Sequence, residues 1–448
     1  MTHSYLPHTS RDRQDMLTAI GVDSVEALFR DVPADLRMDG MLKLPPALAE
    51  SELVRHMRHL SGENTSLQDV TCFLGAGAYD HYIPSLVDHI LRRSEFYTAY
   101  TQYQPEISQG YLQILWEFQS MICELTGMAV ANASMYDGGT AVAEAVLTAC
   151  AGTGRRRVII SRAVHPHYRE VVETYSRDKR IELVSVPYGD GVTDFARLAA
   201  AVDDAAAAVV IQFPNFFGCV EDLKSISDMT HAKGACVIAV VDPISLGILE
   251  SPGLLGADIV VGEGQSLGLP LSFGGPYLGF FAATEKFMRR MPGRIVGQTG
   301  DNRGNRGFVL TLQAREQHIR RNKATSNICS NEALCALAAA VYLATLGKEG
   351  FKEVAGQCLQ KAHYAYRALQ ALPGCRPVFT SPFFKEFVVR LTKPVALVNA
   401  GLLRKGIAGG LDLGKYDAKL ENCMLLCVTE KRTKAEIDHL VSEMGAIL

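Results

Sequence analysis

Two short apolar runs, Val209-Val-Ile211 and Val237-Ile-Ala-Val-Val241, are separated by a stretch of helical periodicity over residues 221–232. Runs of this length predict buried strands, and a helix is the usual connection between neighbouring parallel strands. The alternation continues in both directions, with further apolar runs at residues 158–160, 183–186 and 259–261. The sequence therefore predicts an α/β fold with a mainly parallel sheet covered by helices on both faces.

The segments around this core predict the domain organisation. Apolar residues at helical spacing from Gln113 to Thr126, with Gly127 as a stop, indicate a buried helix. A strand is expected at residues 277–282 and a helix at 331–346; the alanine-rich stretch 199–208 is interpreted as a helix end. We expect an N-terminal arm (residues 1–65), a large α/β domain (66–348) and a small C-terminal α+β domain (349–448), the last with segments at 387–391, 401–406, 425–428 and a helix at 434–444.

The arm carries short helical patterns at residues 11–20, 25–29 and 45–49, broken by prolines. Its Leu, Met and Val residues have little core of their own, so we expect it to pack against the rest of the chain or a partner subunit.

Composition excludes several classes of protein. The 448 residues are 48% hydrophobic and 21% charged with a net charge of −3, which is ordinary for a soluble enzyme and does not suggest a nucleic-acid partner. The 11 cysteines are scattered without a C-x-x-C pair, so neither a disulfide framework nor a metal site is expected. Residues 1–7 do not look like a secretion signal, and no apolar run approaches the roughly 18 residues of a membrane span. We expect a cytoplasmic protein.

Three motifs stand where ligands of such sheets gather. Gly138 and Gly139, in the string Ser134-Met-Tyr-Asp-Gly-Gly-Thr140, precede a helix and could hold a phosphate, or form an ordinary helix start capped by Asp137 or Thr140. Asp242 follows a buried strand, where a carboxylate pairs with the pyridinium nitrogen in pyridoxal phosphate enzymes, or simply caps a loop. His165 follows another strand and could stack on a cofactor ring, or have no such role.

A working pyridoxal phosphate site would need a lysine about 20 to 30 residues after the Asp242 strand, to form the Schiff base. The chain has no lysine between Asp242 and Lys286, and the expected stretch reads Gly262-Glu-Gly-Gln-Ser-Leu-Gly268. Its G-x-S-x-G match suggests a serine hydrolase using Ser266 as a remote alternative. Gly268 and Pro270 stand where the helix of a nucleophile elbow should begin, which disfavours that alternative.

The segment of residues 312–327 is dense in charge and ends in Thr325-Ser-Asn327. It predicts a polar helix followed by a loop, and a solvated face is the default interpretation. The loop hydroxyls and amide could equally donate hydrogen bonds to an anion.

Long strings in order along the chain carry a resemblance to a known family. They are Phe73-Leu-Gly-Ala-Gly-Ala-Tyr-Asp-His-Tyr-Ile-Pro84, Thr98-Ala-Tyr-Thr-Gln-Tyr-Gln-Pro-Glu-Ile-Ser-Gln-Gly110, Pro214-Asn-Phe-Phe-Gly218 and the stretch from Leu310 to Cys329. The whole chain resembles glycine dehydrogenase (decarboxylating) subunit 1, one of the two chains that form the P-protein of the glycine cleavage system in some bacteria and archaea. Gln102 departs from the proline expected there, which should change loop stiffness and not chemistry.

The resemblance implies a type I pyridoxal-phosphate-enzyme fold, similar to aspartate aminotransferase, and a heterotetramer with a second subunit that carries the lysine. Gln265 and Ser266 stand about where that lysine would be. The implied reaction is decarboxylation of glycine with transfer of the aminomethyl group to the lipoyl group of H-protein. Pyridoxal phosphate would be bound through the partner's lysine, and this chain would hold no catalytic residue and would not act alone.

Because the active site of this fold lies at a dimer interface, the resemblance implies that this chain lends residues to the partner's site. By similarity, Thr98, Tyr100 and Tyr103 are expected to reach into it, and Thr325 and Asn327 to bind the cofactor phosphate there. The pocket of this chain itself, with Asp242, His165, Gly138 and Gly139, is expected to be degenerate. A scaffold subunit that only stabilises its partner and docks H-protein is the alternative.

Overall fold

The computed structural model describes residues 5–38, 40, 42–328 and 331–448. Cys329, the end of the last string quoted above, lies outside them. The chain divides into two compact units, Met1–Thr65 and Ser66–Leu448. The second unit contains both large sheets, so a division into domains at residues 348 and 349 stays a prediction.

The elements are numbered in chain order. The helices are α1 (Ser10–Ile20), α2 (Glu50–Gly62), α3 (Ser85–Leu91), α4 (Ser94–Tyr97), α5 (Gln109–Thr126), α6 (Gly138–Thr153), α7 (Pro166–Ser176), α8 (Phe195–Ala201), α9 (Leu223–His231), α10 (Gln317–Arg320), α11 (Ala333–Gln370), α12 (Val395–Leu403) and α13 (Lys434–Ile447). The strands are β1 (Thr71–Cys72), β2 (Val130–Ala131), β3 (Arg157–Ser161), β4 (Glu182–Val186), β5 (Tyr188–Gly189), β6 (Val192–Thr193), β7 (Ala206–Phe213), β8 (Cys236–Val241), β9 (Ile259–Glu263), β10 (Gly279–Ala283), β11 (Ile295–Gly300), β12 (Arg306–Thr311), β13 (Cys375–Pro377), β14 (Glu386–Leu391), β15 (Ile407–Ala408), β16 (Leu411–Asp412) and β17 (Cys423–Cys427).

In its described residues, the first unit contains α1, α2 and two short 3₁₀ turns. Residues 45–49, predicted to be helical, are not; α2 begins after them, at Glu50, because Pro45 and Pro46 lack the N–H groups that a helix interior uses. Most of the apolar side chains in this unit are exposed, among them Leu36, Leu44 and Met57. Its packing against a partner stays a prediction.

Within the described residues, seven strands form the main sheet in the order β2-β10-β9-β8-β7-β3-β4. The pairs from β4 to β9 are parallel, while β10 and β2 are antiparallel to their neighbours. The predicted mainly parallel sheet is therefore confirmed. Parallel order brings the carboxyl ends of β3, β7, β8 and β9 to one edge, which is where the candidate ligand residues lie.

Alternate side chains of each central strand enter different cores, which is why consecutive positions in the middle of these strands are apolar. In β7, Val209 and Ile211 pack with α5 and α11, whereas Val210 packs with α6 and α7 on the opposite face. The helix α5 ends at Gly127, whose φ of +69° closes it in the left-handed conformation as predicted.

Two local predictions were wrong. The alanines at residues 206–208 begin β7 and do not end a helix, because α8 stops at Ala201 and the small side chains fit between the covering helices. Residues 312–327 form separate short turns and not a continuous helix. Arg321 has a φ of +53°, which an α-helix does not accommodate.

The C-terminal part holds a four-stranded antiparallel sheet in the order β13-β14-β17-β16, counted over the described residues. Its core combines α12, α13 and the second half of α11. The segment 401–406, singled out from the sequence without an element type, contains the end of α12 and the turn that leads into the short strand β15. Strand β14 begins at Glu386, and the residue before it, Lys385, lies next to Asp242 at the edge of the main sheet.

The helix α11 is long and apolar enough by composition to cross a membrane, with a mean hydropathy of 1.3 in its most apolar window. Gly347, with φ of 59° and ψ of −174°, divides it into two helices. In the first of these, Ala336, Ala339 and Tyr342 belong to the protein core. We therefore interpret α11 as a core helix.

Candidate functional site

The predicted ligand residues lie where the sequence placed them along the sheet. Asp242 follows β8, His165 follows β3, and Gly138 and Gly139 open α6. Asp137 caps α6, since its Oδ1 accepts a hydrogen bond of 2.7 Å from the Thr140 N–H. The motif therefore forms a helix start capped by Asp137, which is one of the two interpretations given for it.

Asp242 is engaged by a lysine that the sequence argument missed. The Lys385 Nζ lies 2.8 Å from the Asp242 Oδ2, and the side chains are only 1% and 10% exposed. Lys385 comes from the start of β14, far along the chain from the interval in which a Schiff-base lysine is expected. Spacing after a strand cannot find it, because its position depends on how the C-terminal sheet packs.

The same ammonium group is part of a buried polar chain. Lys385 Nζ lies 2.9 Å from Nε2 of His81, whose Nδ1 lies 2.6 Å from a Glu430 carboxylate oxygen. His81 therefore donates from Nδ1 and accepts at Nε2, as a neutral ring does. Lys385 also lies 3.5 Å from the centre of the Tyr79 ring, a cation–π contact.

The electrostatics agree with this assignment. Burial opposes the charge of Lys385, but the nearby carboxylate of Asp242 outweighs it, so the pKa of Lys385 is raised. Burial, together with the neighbouring ammonium, lowers the pKa of His81. The pair is thus a buried ion pair next to a neutral imidazole.

His81, Cys358 and Glu430 bring three potential metal ligands within 4.8 Å of one another. Both ring nitrogens of His81 are already engaged, one by Glu430 and the other by the Lys385 ammonium. A fixed positive charge at this distance repels a divalent cation. We therefore interpret the cluster as part of the polar chain.

The start of α6 is occupied by a side chain from β9. Glu263 Oε2 accepts a hydrogen bond of 2.9 Å from the Gly138 N–H, and its Oε1 accepts 3.0 Å bonds from the N–H groups of Gln265 and Leu278. Burial raises the pKa of Glu263 to about 8, against the three donors that favour its charged form. A Cβ at Gly138 would lie 2.7 Å from the Tyr168 Oη, so the space above the helix start is filled.

His165 stacks on a protein ring. Its imidazole lies 4.7 Å from the Tyr168 ring at an interplanar angle of 29° and packs edge-on against Phe216. Its Nε2 donates to the Ala76 carbonyl over 2.8 Å and its Nδ1 accepts from the His167 N–H. Burial lowers the pKa of His165 to about 4, so the ring is neutral at physiological pH.

The two residues about where the lysine is expected are both buried. Gln265 is fixed at both ends of its amide: Oε1 accepts from the Tyr79 N–H over 2.8 Å, and Nε2 donates to the carbonyls of Tyr79 and Leu269. The Ser266 hydroxyl has no hydrogen-bond partner among the described residues. A serine nucleophile needs a base in contact and a helix behind it. Ser266 has neither within the described part of the chain.

Residues 73–84, which we call the cover segment, lie over this region. Ala76 contacts His165, Tyr79 contacts Gln265, and His81 contacts Lys385. Glu386, next to Lys385, anchors the segment by accepting from the Ala76 N–H at 2.6 Å and from the Tyr79 hydroxyl at 2.9 Å. The sequence predicted this string only as a family signature, and its contacts appear only in the folded chain.

The residues expected to serve a partner's site lie on the surface. Tyr100 is 83% exposed and Tyr103 66% exposed, and the Arg294 guanidinium stacks over the Tyr103 ring at 5.4 Å. Thr98, also exposed, donates to the Ser94 carbonyl. Thr325 and Asn327 are exposed as well.

These residues form two separate groups in the structure. Thr325 lines a surface cavity together with Arg156 and Lys179, and none of residues 98–103 lines that cavity. No hydrogen bond or ring contact joins the two groups within the described ranges.

The sheet order, the aspartate after β8 and the glycine turn at α6 define the class of this protein as the type I pyridoxal-phosphate-enzyme fold. A sphingosine-1-phosphate lyase of Burkholderia pseudomallei shares this fold with a TM-score of 0.66 at 16% identity, over 93% of this chain and 94% of that one. The predicted fold class is thus confirmed.

The chain belongs to the glycine cleavage system P-protein family, whose model matches residues 3–444. It is 58% identical to the probable glycine dehydrogenase (decarboxylating) subunit 1 of Desulforamulus reducens over 443 aligned residues, and the alignment covers 99% of each chain. It is also similar to a crystal structure of glycine decarboxylase (P-protein) of the glycine cleavage system in inhibitor-bound form, with a TM-score of 0.90, 43% identity and full coverage of both chains. The family resemblance read from the sequence is confirmed.

Pyridoxal phosphate is the cofactor typical of this fold, and the residues around Asp242 in this chain do not fit it. Gln265 and Ser266 stand about where the Schiff-base amine is expected, and Asp242, the carboxylate expected to face the pyridine nitrogen, is paired with Lys385. The N–H group that would face the phosphate is bonded to Glu263. We therefore derive no chemical step at this pocket.

Proposed function

We propose that this chain is the subunit of a two-chain glycine dehydrogenase (decarboxylating) that lacks the Schiff-base lysine and completes an active site on a lysine-bearing partner subunit. The observation that carries the proposal is a pyridoxal-phosphate-enzyme fold without an amine where the cofactor would be tethered. Gln265 and Ser266 stand there, both buried. Membership of the P-protein family supplies the reaction, which is decarboxylation of glycine and transfer of the aminomethyl group to the lipoyl group of H-protein.

The cofactor, held by the partner's lysine, supplies an electron sink for the electrons left when carbon dioxide departs. This chain would contribute side chains that line that site. Side chains in this position exclude water, which strengthens charge interactions, and orient glycine, which lowers the entropic cost of reaching the reactive geometry.

The exposed aromatic loop before α5 supports a partner-facing role. Tyr97, Tyr100, Tyr103 and Ile107 are all more than half exposed. Contiguous exposed apolar residues mark protein interfaces more often than free surface, and tyrosine is enriched in interface contacts. In the proposal, Thr98, Tyr100 and Tyr103 reach the partner's site.

In the proposal Thr325 and Asn327 approach the partner's cofactor phosphate. Both are exposed, and the cavity that Thr325 lines also contains Arg156 and Lys179, which give the surface a positive charge. Hydroxyl and amide donors beside cationic side chains suit a phosphate. The assembly is proposed to be a heterotetramer in the cytoplasm, where the free cysteines of the described residues would stay reduced.

The test uses the full-length chain mixed with the lysine-bearing subunit, lipoylated H-protein and pyridoxal phosphate. Tyr100→Ala should lower glycine-dependent exchange of labelled carbon dioxide by about tenfold or more, and Thr325→Ala should weaken binding of pyridoxal phosphate to the assembled enzyme. Phe195→Ala is the matched control, since Phe195 is an exposed aromatic residue on α8.

A scaffold subunit would give a different result. If Tyr100→Ala and Thr325→Ala left exchange and cofactor affinity at the level of Phe195→Ala, while the two subunits still assembled, the chain would only support its partner. That outcome would contradict the composite site.

A further inference from the structure

A type I site binds pyridoxal phosphate through four features. A carboxylate faces the protonated pyridine nitrogen, a flat surface stacks on the ring, N–H groups at a helix start receive the phosphate, and an amine meets the aldehyde. In the ring the aldehyde carbon lies opposite the nitrogen, so the amine and the carboxylate belong at opposite ends of the pocket.

At the carboxylate end, Lys385 takes the position of a pyridinium. Its Nζ is a cationic donor 2.8 Å from Asp242 Oδ2, and it is held there by His81 and by the face of the Tyr79 ring. Because this ammonium is bonded to the carboxylate that would bind the ring nitrogen, it does not lie where an amine could meet the aldehyde. Lys385 is therefore not a relocated Schiff-base lysine.

At the phosphate end, the carboxyl group of Glu263 takes the position of the phosphate. It accepts from the Gly138 N–H at the start of α6, and the Tyr168 hydroxyl lies close to the same glycine. Tyr168 also covers one face of His165, where a cofactor ring would stack. Both the polar and the flat surfaces of the pocket are thus covered by side chains of the same chain.

We infer that the pocket around Asp242 is closed and internally compensated, with Lys385 in place of the pyridinium, Glu263 in place of the phosphate and Tyr168 in place of the ring. The cover segment seals it, since its residues bond to Gln265, His165 and Lys385. The pocket excludes pyridoxal phosphate through these contacts and not only through the missing amine. This inference concerns the chain's own pocket and does not depend on the proposed composite site.

The first test measures binding of pyridoxamine 5′-phosphate to the full-length chain by calorimetry, because this probe carries the ring and phosphate but cannot form imines with surface lysines. The wild-type chain should show no saturable binding up to about 1 mM. Replacing the three internal occupants, in Tyr168→Ala/Glu263→Ala/Lys385→Ala, should give saturable binding of one equivalent with a Kd at least about tenfold below that limit. Lys405→Ala/Glu353→Ala, which removes an exposed lysine and an exposed glutamate, should remain without binding.

One equivalent bound tightly by the wild-type chain would overturn the inference, as would a folded triple variant that binds no better than wild type. A second measurement needs no variant. After incubation with pyridoxal phosphate and reduction with borohydride, peptide mapping of the wild-type chain should find the pyridoxyl group on exposed lysines such as Lys405 and none on Lys385. Labelling of Lys385 would equally contradict a closed pocket.

Discussion

Replacing Lys385 by methionine should destabilise the chain more than removal of any exposed lysine. Methionine keeps the length of the side chain and removes the charge. It leaves Asp242 buried with the Ile244 N–H as its remaining hydrogen-bond donor within the described residues, and it leaves the His81 Nε2 without a donor. The variant thus isolates the electrostatic part of the contact.

The expected magnitude follows from the geometry. Unit charges 2.8 Å apart attract by about 6 kcal/mol at an effective dielectric constant of about 20. Burying both charges offsets part of that attraction, so loss of one partner should cost about 3–5 kcal/mol. Neutralising both groups, in Asp242→Asn/Lys385→Met, should cost less than Lys385→Met alone because no charge is then left unpaired.

Thermal or urea denaturation of the full-length variants measures this effect, with Lys405→Met as the control. Lys405 pairs with Glu443 at 3.3 Å but is 56% exposed, so its loss should cost at most about 1 kcal/mol. A free energy of unfolding for Lys385→Met within about 1 kcal/mol of the wild-type value would contradict this role of the buried ion pair. So would a double variant whose loss of stability equals the sum of the losses in Lys385→Met and Asp242→Asn.

Three further changes have defined outcomes. Gln102 is buried with both amide atoms unpaired among the described residues, so Gln102→Leu should raise the free energy of unfolding by about 1–3 kcal/mol in urea titrations. The pKa of His165 is lowered to about 4, so between about pH 6.5 and pH 4 the unfolded chain binds a proton that the folded chain does not. The melting temperature should therefore fall as the pH drops through this range, and it should fall less steeply in His165→Gln. The pKa of Glu263 is raised to about 8, so stability should fall as pH rises from about 4.5 to 8, and Glu263→Gln should flatten that trend; an unchanged slope would show that Glu263 does not titrate there.

The main sheet could be predicted from the sequence because its strands are buried on both faces. The apolar run at residues 237–241 and the helical pattern at 221–232 correspond to β8 and α9. Prediction failed where tertiary packing decides the local structure. The alanines before Val209 have no strand preference of their own, and they extend β7 because only small side chains fit beneath the covering helices.

The candidate site was predicted only in part. The positions of Asp242, His165 and Gly138 follow from where strands end, and a gap in lysines can be counted along the chain. Lys385 and the cover segment could not be found in that way, because they reach the sheet edge from β14 and from residues 73–84. The available signal for Lys385 was a charged residue shortly before an apolar strand. Such a residue is common at the start of strands without any role in a site.

The most direct measurement is glycine-dependent exchange of labelled carbon dioxide by the purified full-length chain, supplied with pyridoxal phosphate and lipoylated H-protein, with and without the lysine-bearing subunit. We predict exchange only when the second subunit is added. Sustained exchange by this chain in the absence of another polypeptide would contradict the account.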